Sequence, residues 1–103
     1  MERKIALQVN DKDNVATIFA EGIQKGVEVE VRDKRGHSKI IAVANDIPYG
    51  HKVAIAKINM GELITKYGEE IGIATRDIQE GEYVHIHNLD SMRGRGDWAK
   101  AKK

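Results

Sequence analysis

The stretch Ile23–Val31, IQKGVEVEV, joins a turn to a strand and contains the two local patterns that recur through the chain. Three valines alternate with two glutamates in its second half, which predicts a β-strand with one buried face and one solvated face. A predicted turn at 33–36 and the segment 39–44, apolar from Ile40 onward, would return the chain as an antiparallel hairpin. The first half of the stretch, Ile-x-x-Gly, predicts a tight turn.

The Ile-x-x-Gly pattern occurs four times, at 23–26, 47–50, 58–61 and 78–81. We expect a buried isoleucine to anchor each turn and the glycine to take a positive φ, which costs it no steric penalty. Four such turns among short apolar segments predict a mostly β domain with many corners. Their irregular spacing argues against a solenoid of stacked repeats.

Upstream of these turns, the sequence predicts a first strand within 5–9 and one short helix after the capping cluster Asn10–Asn14. Four apolar residues of that helix fall on one face: Val15, Ile18, Phe19 and Ile23. Gly22 stands where a C-terminal cap is expected. The expected fold class is therefore mostly β with one short helix.

Length and charge define the predicted domain organisation. At 103 residues the chain has room for one domain with a small core. Residues 91–103 hold five basic residues and one acidic residue, whereas 1–90 hold 12 basic and 15 acidic residues. We therefore expect a folded body over 1–90 and a basic Gly/Arg-rich tail over 91–103.

Composition also excludes several classes of function. A net charge of +1 argues against a nucleic-acid or membrane-surface binder that is driven by overall charge. The absence of cysteine excludes a disulfide scaffold, a thiolate nucleophile and Cys-ligated zinc. The start of the chain lacks the apolar region of a signal peptide, and the longest apolar run, 40–44, cannot span a bilayer. We expect a cytoplasmic protein.

Histidines supply the candidate chemistry. The segment YVHIHN is predicted to be a strand with Tyr83, His85 and His87 on one face. Val84 and Ile86 would then point toward the core. Two imidazoles on one face suit a metal ion, a substrate or an interface, and the pattern is equally compatible with a pair that binds nothing.

Further candidates flank this segment. His51 and Lys52 directly follow the glycine of the second turn, whereas His37 is expected to be exposed in the hairpin turn. Arg93 and Arg95 stand between glycines, and their guanidinium groups match the geometry of a carboxylate. The composition around them also fits a disordered basic tail.

Five segments occur in an order that is specific in combination: 13–16, 47–52, 66–72, 74–78 and 81–89. They contain Gly-His-Lys, Lys-Tyr-Gly-x-x-Ile-Gly and His-x-His-Asn. Over roughly 5–95 the chain resembles the SAF domain at the N-terminus of the altronate and galactarate dehydratase family. It is also similar to the small subunit of sulfolactate sulfo-lyase, including the ending at 91–97.

The resemblance implies a β-clip fold and a large catalytic subunit as partner. The implied reaction removes water from a sugar acid, an aldonate or aldarate, and yields a 2-keto-3-deoxy acid with a divalent metal, Fe2+ or Mn2+. The chain would then be a small subunit, inactive alone and self-associating as a homo-oligomer when isolated. Two alternatives stay open: a noncatalytic carbohydrate-binding or assembly module, and a small subunit of sulfolactate sulfo-lyase. Neither nucleic acid nor membrane is expected as a partner.

The predicted site combines the residue types that this chemistry needs. Imidazoles transfer protons near neutral pH, and cations bind carboxylates. The predicted catalytic residues are His51, His85 and His87. The predicted substrate-binding residues are Lys52, Asn88, Arg93 and Arg95. His85 and His87 are candidate metal ligands, without an individual role for either.

Overall fold

Nine β-strands and no helix form residues 4–91, the part of the chain that this computed structural model describes. The strands are β1 (Ile5–Leu7), β2 (Val15–Ile18), β3 (Glu28–Arg32), β4 (Ser38–Ala42), β5 (Lys52–Ala54), β6 (Leu63–Lys66), β7 (Glu69–Ala74), β8 (Tyr83–Val84) and β9 (Leu89–Ser91). The mostly β prediction is confirmed. Beyond Ser91, the predicted basic tail lies outside the described residues.

The strands form two sheets. Six of them pair in the order β4-β3-β1-β2-β5-β8, and three pair in the order β6-β7-β9. β1 and β3 are parallel, whereas every other pair of named strands is antiparallel. The predicted hairpin is confirmed as β3 and β4, with Val29 opposite Ile41. Both side chains are buried, as the alternation of valine and glutamate requires.

The predicted short helix is wrong, because its first residues form β2. This strand lies between β1 and β5, and all four of its residues are buried. Ala16 and Ile18 pack into one hydrophobic cluster, whereas Val15 packs into the other. A strand buried on both faces has an apolar run that can imitate helical spacing over a few residues. Phe19, predicted on the buried helix face, is 43% exposed.

The four Ile-x-x-Gly turns form as predicted. Each glycine has a positive φ, between 83° and 94°, and each isoleucine is at most 3% exposed. The turns also associate in pairs that sequence spacing does not indicate: Ile23 bridges Ile47, and Ile58 bridges Ile78. An aspartate before the second isoleucine supports each pair. Asp46 accepts a hydrogen bond from the backbone N of Lys25, and Asp77 accepts one from Met60.

Candidate functional site

The candidate site lies at an edge of the six-stranded sheet, where β8 pairs with β5. The register places Tyr83 opposite Val53 and Val84 opposite Lys52. His51 comes directly before β5, so this pairing brings the Gly-His-Lys segment beside the segment that holds His85 and His87. The two halves of the predicted site are more than 30 positions apart in sequence and become neighbours through this strand pair.

The predicted strand over 83–88 ends early, at Val84. Asn88 is fully buried and folds the following residues into a turn: its side-chain oxygen accepts from the backbone N of His85 at 3.0 Å. Its side-chain nitrogen donates to the backbone oxygen of Tyr83 at 2.9 Å. Ile86, which we expected to face the core, is consequently 81% exposed at the tip of the turn.

The same hydrogen bonds bear on the predicted substrate-binding role of Asn88. With both ends of its amide group bonded to the backbone and none of its surface exposed, Asn88 shapes the turn that carries His85 and His87. Its own contact with substrate stays a prediction.

Three histidines surround the ring of Tyr83. The phenol oxygen lies 2.6 Å from Nδ1 of His51. The ring of His85 stacks on Tyr83 with an interplanar angle of 9° and a centroid distance of 5.6 Å, and the His87 ring lies 5.5 Å away. His51 and His85 are 5.0 Å apart between ring centroids. The structure therefore brings together all three predicted catalytic residues.

Tyr83 is the residue of this cluster that our predicted catalytic and binding sets lack. It contacts every one of the three histidines, and its backbone is held at both polar groups. Its N donates to Asn45 Oδ1 at 2.9 Å, and its oxygen accepts from Asn88. The predicted strand already placed Tyr83 on the histidine face, which is the signal that could have identified it.

The electrostatics of the cluster favour the neutral form of the His85 imidazole. Desolvation lowers the pKa of His85, and the neighbouring His51, Lys52 and His87 lower it further. Lys52 is half-buried, and its pKa is lowered by desolvation and by the positive charge of Lys66. Cationic and potentially cationic groups thus collect here, which suits an anionic ligand such as a carboxylate.

A metal centre is not complete within residues 4–91. Among these residues no group of three or more His, Asp or Glu side chains is placed to hold a metal ion. Nδ1 of His51 contacts the phenol oxygen of Tyr83. The His51 nitrogen that this phenol does not contact is Nε2. His85 and His87 alone supply two of the three ligands in the two-histidine, one-carboxylate set that is typical of non-haem Fe(II).

Other predicted residues lie apart from the cluster or outside the described chain. His37 is exposed in the hairpin turn, where its Nδ1 lies 3.3 Å from a carboxylate oxygen of Asp33. Arg93 and Arg95 fall outside residues 4–91, so their predicted contact with substrate stays a prediction. No helix within the described range is both long and apolar enough to cross a membrane.

The arrangement suits proton transfer beside a bound anion. Imidazole and phenol groups in mutual contact can accept and return protons, and a desolvated ammonium group attracts a carboxylate. The cluster lies at a sheet edge and is accessible to a ligand, because His85 is partly exposed and His87 is exposed.

Comparisons with known proteins identify the relatives of this chain. The family model described as the altronate/galactarate dehydratase SAF domain matches residues 4–92. The chain is 36% identical over 85 residues to altronate dehydratase of Bacillus subtilis, covering 82% of this chain and 16% of that enzyme. It is 34% identical over 88 residues to the (2R)-sulfolactate sulfo-lyase subunit alpha of Chromohalobacter salexigens, covering 82% of this chain and 93% of that subunit.

A galactarate dehydratase (L-threo-forming) of Escherichia coli is also similar, with 36% identity over 78 residues that cover 76% of this chain and 14% of the enzyme. The chain thus spans a small part of each of these dehydratases and nearly all of the sulfo-lyase subunit. With a family match across nearly its whole length, the chain belongs to the altronate/galactarate dehydratase SAF domain family.

Proposed function

We propose that this chain is the small subunit of a sugar-acid hydro-lyase, which eliminates water from an aldonate or aldarate together with a large catalytic subunit. The observation that carries the proposal is the cluster in which Tyr83 contacts His51, His85 and His87 beside the half-buried Lys52. This combination of proton-transfer groups and a cation matches what elimination from a hydroxy acid requires.

The proposed reaction can be written for the substrate alone. A base removes the proton on the carbon next to the carboxylate, the hydroxyl on the following carbon leaves with a proton as water, and the enol becomes a 2-keto-3-deoxy acid. In our proposal the ammonium of Lys52 binds the carboxylate. The imidazoles of His51, His85 and His87 accept and return the protons, aided by the phenol of Tyr83.

The divalent metal implied by the resemblance, Fe2+ or Mn2+, belongs to the assembled enzyme in this proposal. Residues 4–91 lack a complete set of ligands. In this proposal the large subunit supplies the remaining ligands.

The partner and the fold type are part of the same proposal. We assign the fold to the SAF-type β-clip, and we expect the isolated chain to be inactive. Exposed apolar side chains leave surface for another subunit to cover, among them Met60 at 67% and Ile86 at 81%. In the absence of a large subunit, the chain should use this surface to self-associate, which light scattering at increasing concentration measures.

A second candidate is the small subunit of a sulfolactate sulfo-lyase. It is favoured by the match to nearly the full length of the Chromohalobacter salexigens subunit alpha. The elimination stays the same in this case, but sulfite leaves instead of water. The sugar-acid and sulfo-acid reactions therefore use the same residues and differ in the group released.

Reconstitution tests both candidates. The full chain is combined with a large subunit of the dehydratase or sulfo-lyase type, and 2-keto-3-deoxy acid and sulfite are measured with each substrate class. We expect product only when both subunits are present. Full activity of the large subunit alone would refute the small-subunit role. Sugar-acid binding without any effect on a lyase would instead indicate a noncatalytic carbohydrate-binding module.

Variants identify the site in the same assay. His85→Ala and His87→Ala should each lower activity at least about 100-fold, the low end for a general acid-base group. The free energy of unfolding should change by no more than about 1 kcal/mol, as for other surface substitutions. His37→Ala in the exposed hairpin turn is the matched control and should change neither. If the substitutions instead unfold the domain, and the fraction that still forms a complex stays active, the two histidines are structural.

A further inference from the structure

A groove of about 330 Å³ adjoins the histidine cluster. Its walls include Ile47, Pro48, Tyr49 and Tyr83, and its lining also includes two acidic residues, Glu21 and Asp46. The volume lies at the lower end of the range for small-molecule sites. Tyr83 contributes both to this groove and to the histidine cluster, so the two regions share a wall.

A single β-turn links the groove to His51 of the histidine cluster. The backbone N of His51 donates to the oxygen of Pro48 at 3.1 Å, which closes the turn around Tyr49 and Gly50. The ends of a β-turn are less than about 7 Å apart between Cα atoms. The Cα atom of His51 therefore lies within about 7 Å of that of Pro48, which lines the groove.

The groove presents an aromatic surface with acceptors. Tyr49 is 53% exposed, and Phe19 packs against its ring in an edge-on contact with centroids 5.9 Å apart. Within residues 4–91, neither Glu21 nor Asp46 forms an ion pair. Lys4 donates to the backbone oxygen of Glu21. One carboxylate oxygen of Asp46 accepts from the backbone N of Lys25, and within the described part of the chain the other accepts no hydrogen bond.

The two ends of the combined site therefore differ in charge. The half-buried Lys52 beside the histidines gives one end a positive charge, whereas the carboxylates of Glu21 and Asp46 give the other end a negative charge. Ionised carboxylates accept hydrogen bonds from hydroxyl groups and repel other carboxylates. A ligand that suits both ends has one carboxylate and an uncharged hydroxylated tail.

We propose, on the basis of the proposed hydro-lyase function, that the groove is the subsite for the polyol tail of an aldonate. In this arrangement Glu21 and Asp46 select against substrates with a second anionic group, because that group would lie beside two carboxylates. Specificity comes from the repulsion of the wrong substrate as well as from hydrogen bonds to the right one. The substrate class is thus a monocarboxylate with an uncharged, hydroxylated tail.

Binding to the full chain gives a test that does not depend on catalysis. Gluconate, a six-carbon aldonate, and glucarate, the corresponding aldarate, are titrated while the backbone amide signals are followed by NMR. We expect gluconate to shift the signals of Gly22 and Tyr49, with glucarate binding about tenfold more weakly. Equal affinities, or no shift of groove signals with either probe, would overturn the proposal.

Substitution of the acids supplies the second arm. Glu21→Gln combined with Asp46→Asn removes both negative charges from the groove. The side-chain oxygen of the introduced asparagine can still accept from the backbone N of Lys25. Without the two charges, glucarate should bind within about twofold of gluconate. Asp77→Asn is the matched control, because Asp77 accepts from the backbone of Met60 in the equivalent turn pair and lies outside the groove lining. A loss of selectivity in this control as well would attribute the effect to overall charge and refute the proposal.

The two hypotheses fail in different ways. If the selectivity is found but no reconstituted complex eliminates water, the hydro-lyase function is wrong and the groove remains a sugar-acid subsite. If the complex is active on aldonates and aldarates alike, and the double variant leaves their ratio of kcat/KM unchanged, the hydro-lyase function stands and the subsite proposal is wrong.

Discussion

The phenol oxygen of Tyr83 lies 2.6 Å from Nδ1 of His51, and this contact joins β8 to the residue directly before β5, 32 positions earlier in the sequence. It fixes one nitrogen of the imidazole in a hydrogen bond and leaves the other to act on a ligand. The ring of Tyr83 also stacks on His85, so one side chain orients two of the three predicted catalytic residues.

Tyr83→Phe removes this hydrogen bond and retains the ring. We expect a loss of stability of about 1 kcal/mol and a fall in the activity of the reconstituted complex of roughly 10-fold or more. The 15N shifts of the His51 imidazole should change, because its tautomer is no longer set by the phenol. Tyr67→Phe, at a 53% exposed tyrosine, is the control. Unchanged His51 shifts in Tyr83→Phe would contradict the positioning role.

Asn88→Ala removes both hydrogen bonds that close the turn after β8. Because the amide is fully buried, the free energy of unfolding should fall by about 1 to 3 kcal/mol in urea denaturation. Asn59→Ala, at an exposed asparagine, should cost no more than about 0.5 kcal/mol. An Asn88→Ala protein of normal stability that no longer binds sugar acid would favour direct contact of Asn88 with substrate instead.

The lowered pKa of His85 predicts a pH dependence of stability. The folded state binds fewer protons at His85 than the unfolded state, where the pKa is 6.5, so its stabilising contribution is present above that pH and is lost as the pH falls through that region. Urea midpoints at about pH 5 and about pH 7.5 should therefore differ less in His85→Gln than in the unaltered protein. An identical pH dependence in His85→Gln would refute the prediction.

The glycines of two Ile-x-x-Gly turns should tolerate alanine differently. A Cβ at Gly61 would have no atom within 4 Å, whereas one at Gly81 would lie 2.5 Å from the backbone oxygen of Ala42. Both glycines have a positive φ, which costs alanine about 1 to 2 kcal/mol. Gly81→Ala should lose roughly 1 to 3 kcal/mol more than Gly61→Ala. Equal losses in thermal or urea unfolding would show that the backbone oxygen of Ala42 moves aside without cost.

Much of the local structure follows from the sequence. The alternation in 27–31 specifies a strand with one buried face, and the positive φ of Gly26 and its three equivalents follows from the Ile-x-x-Gly pattern. Local sequence patterns gave wrong predictions where a segment was buried or exposed in an unusual way. The segment Val15–Ile18 is buried on both faces, which removes the alternation that identifies a strand. Ile86 is exposed because Asn88 closes a turn, a contact that alternation does not reveal.

The sequence by itself determined the β-rich class, the four turns and the choice of His51, His85 and His87 as candidate site residues. These depend on side-chain type and on the spacing of a few residues. Only the tertiary structure decided that Tyr83 joins them, that Ile23 pairs with Ile47, and that acidic residues line a groove beside the histidines. Strand pairing is the physical reason. Hydrogen bonds between distant segments set which residues become neighbours, and the β5–β8 register depends on the packing of the whole sheet rather than on either segment alone.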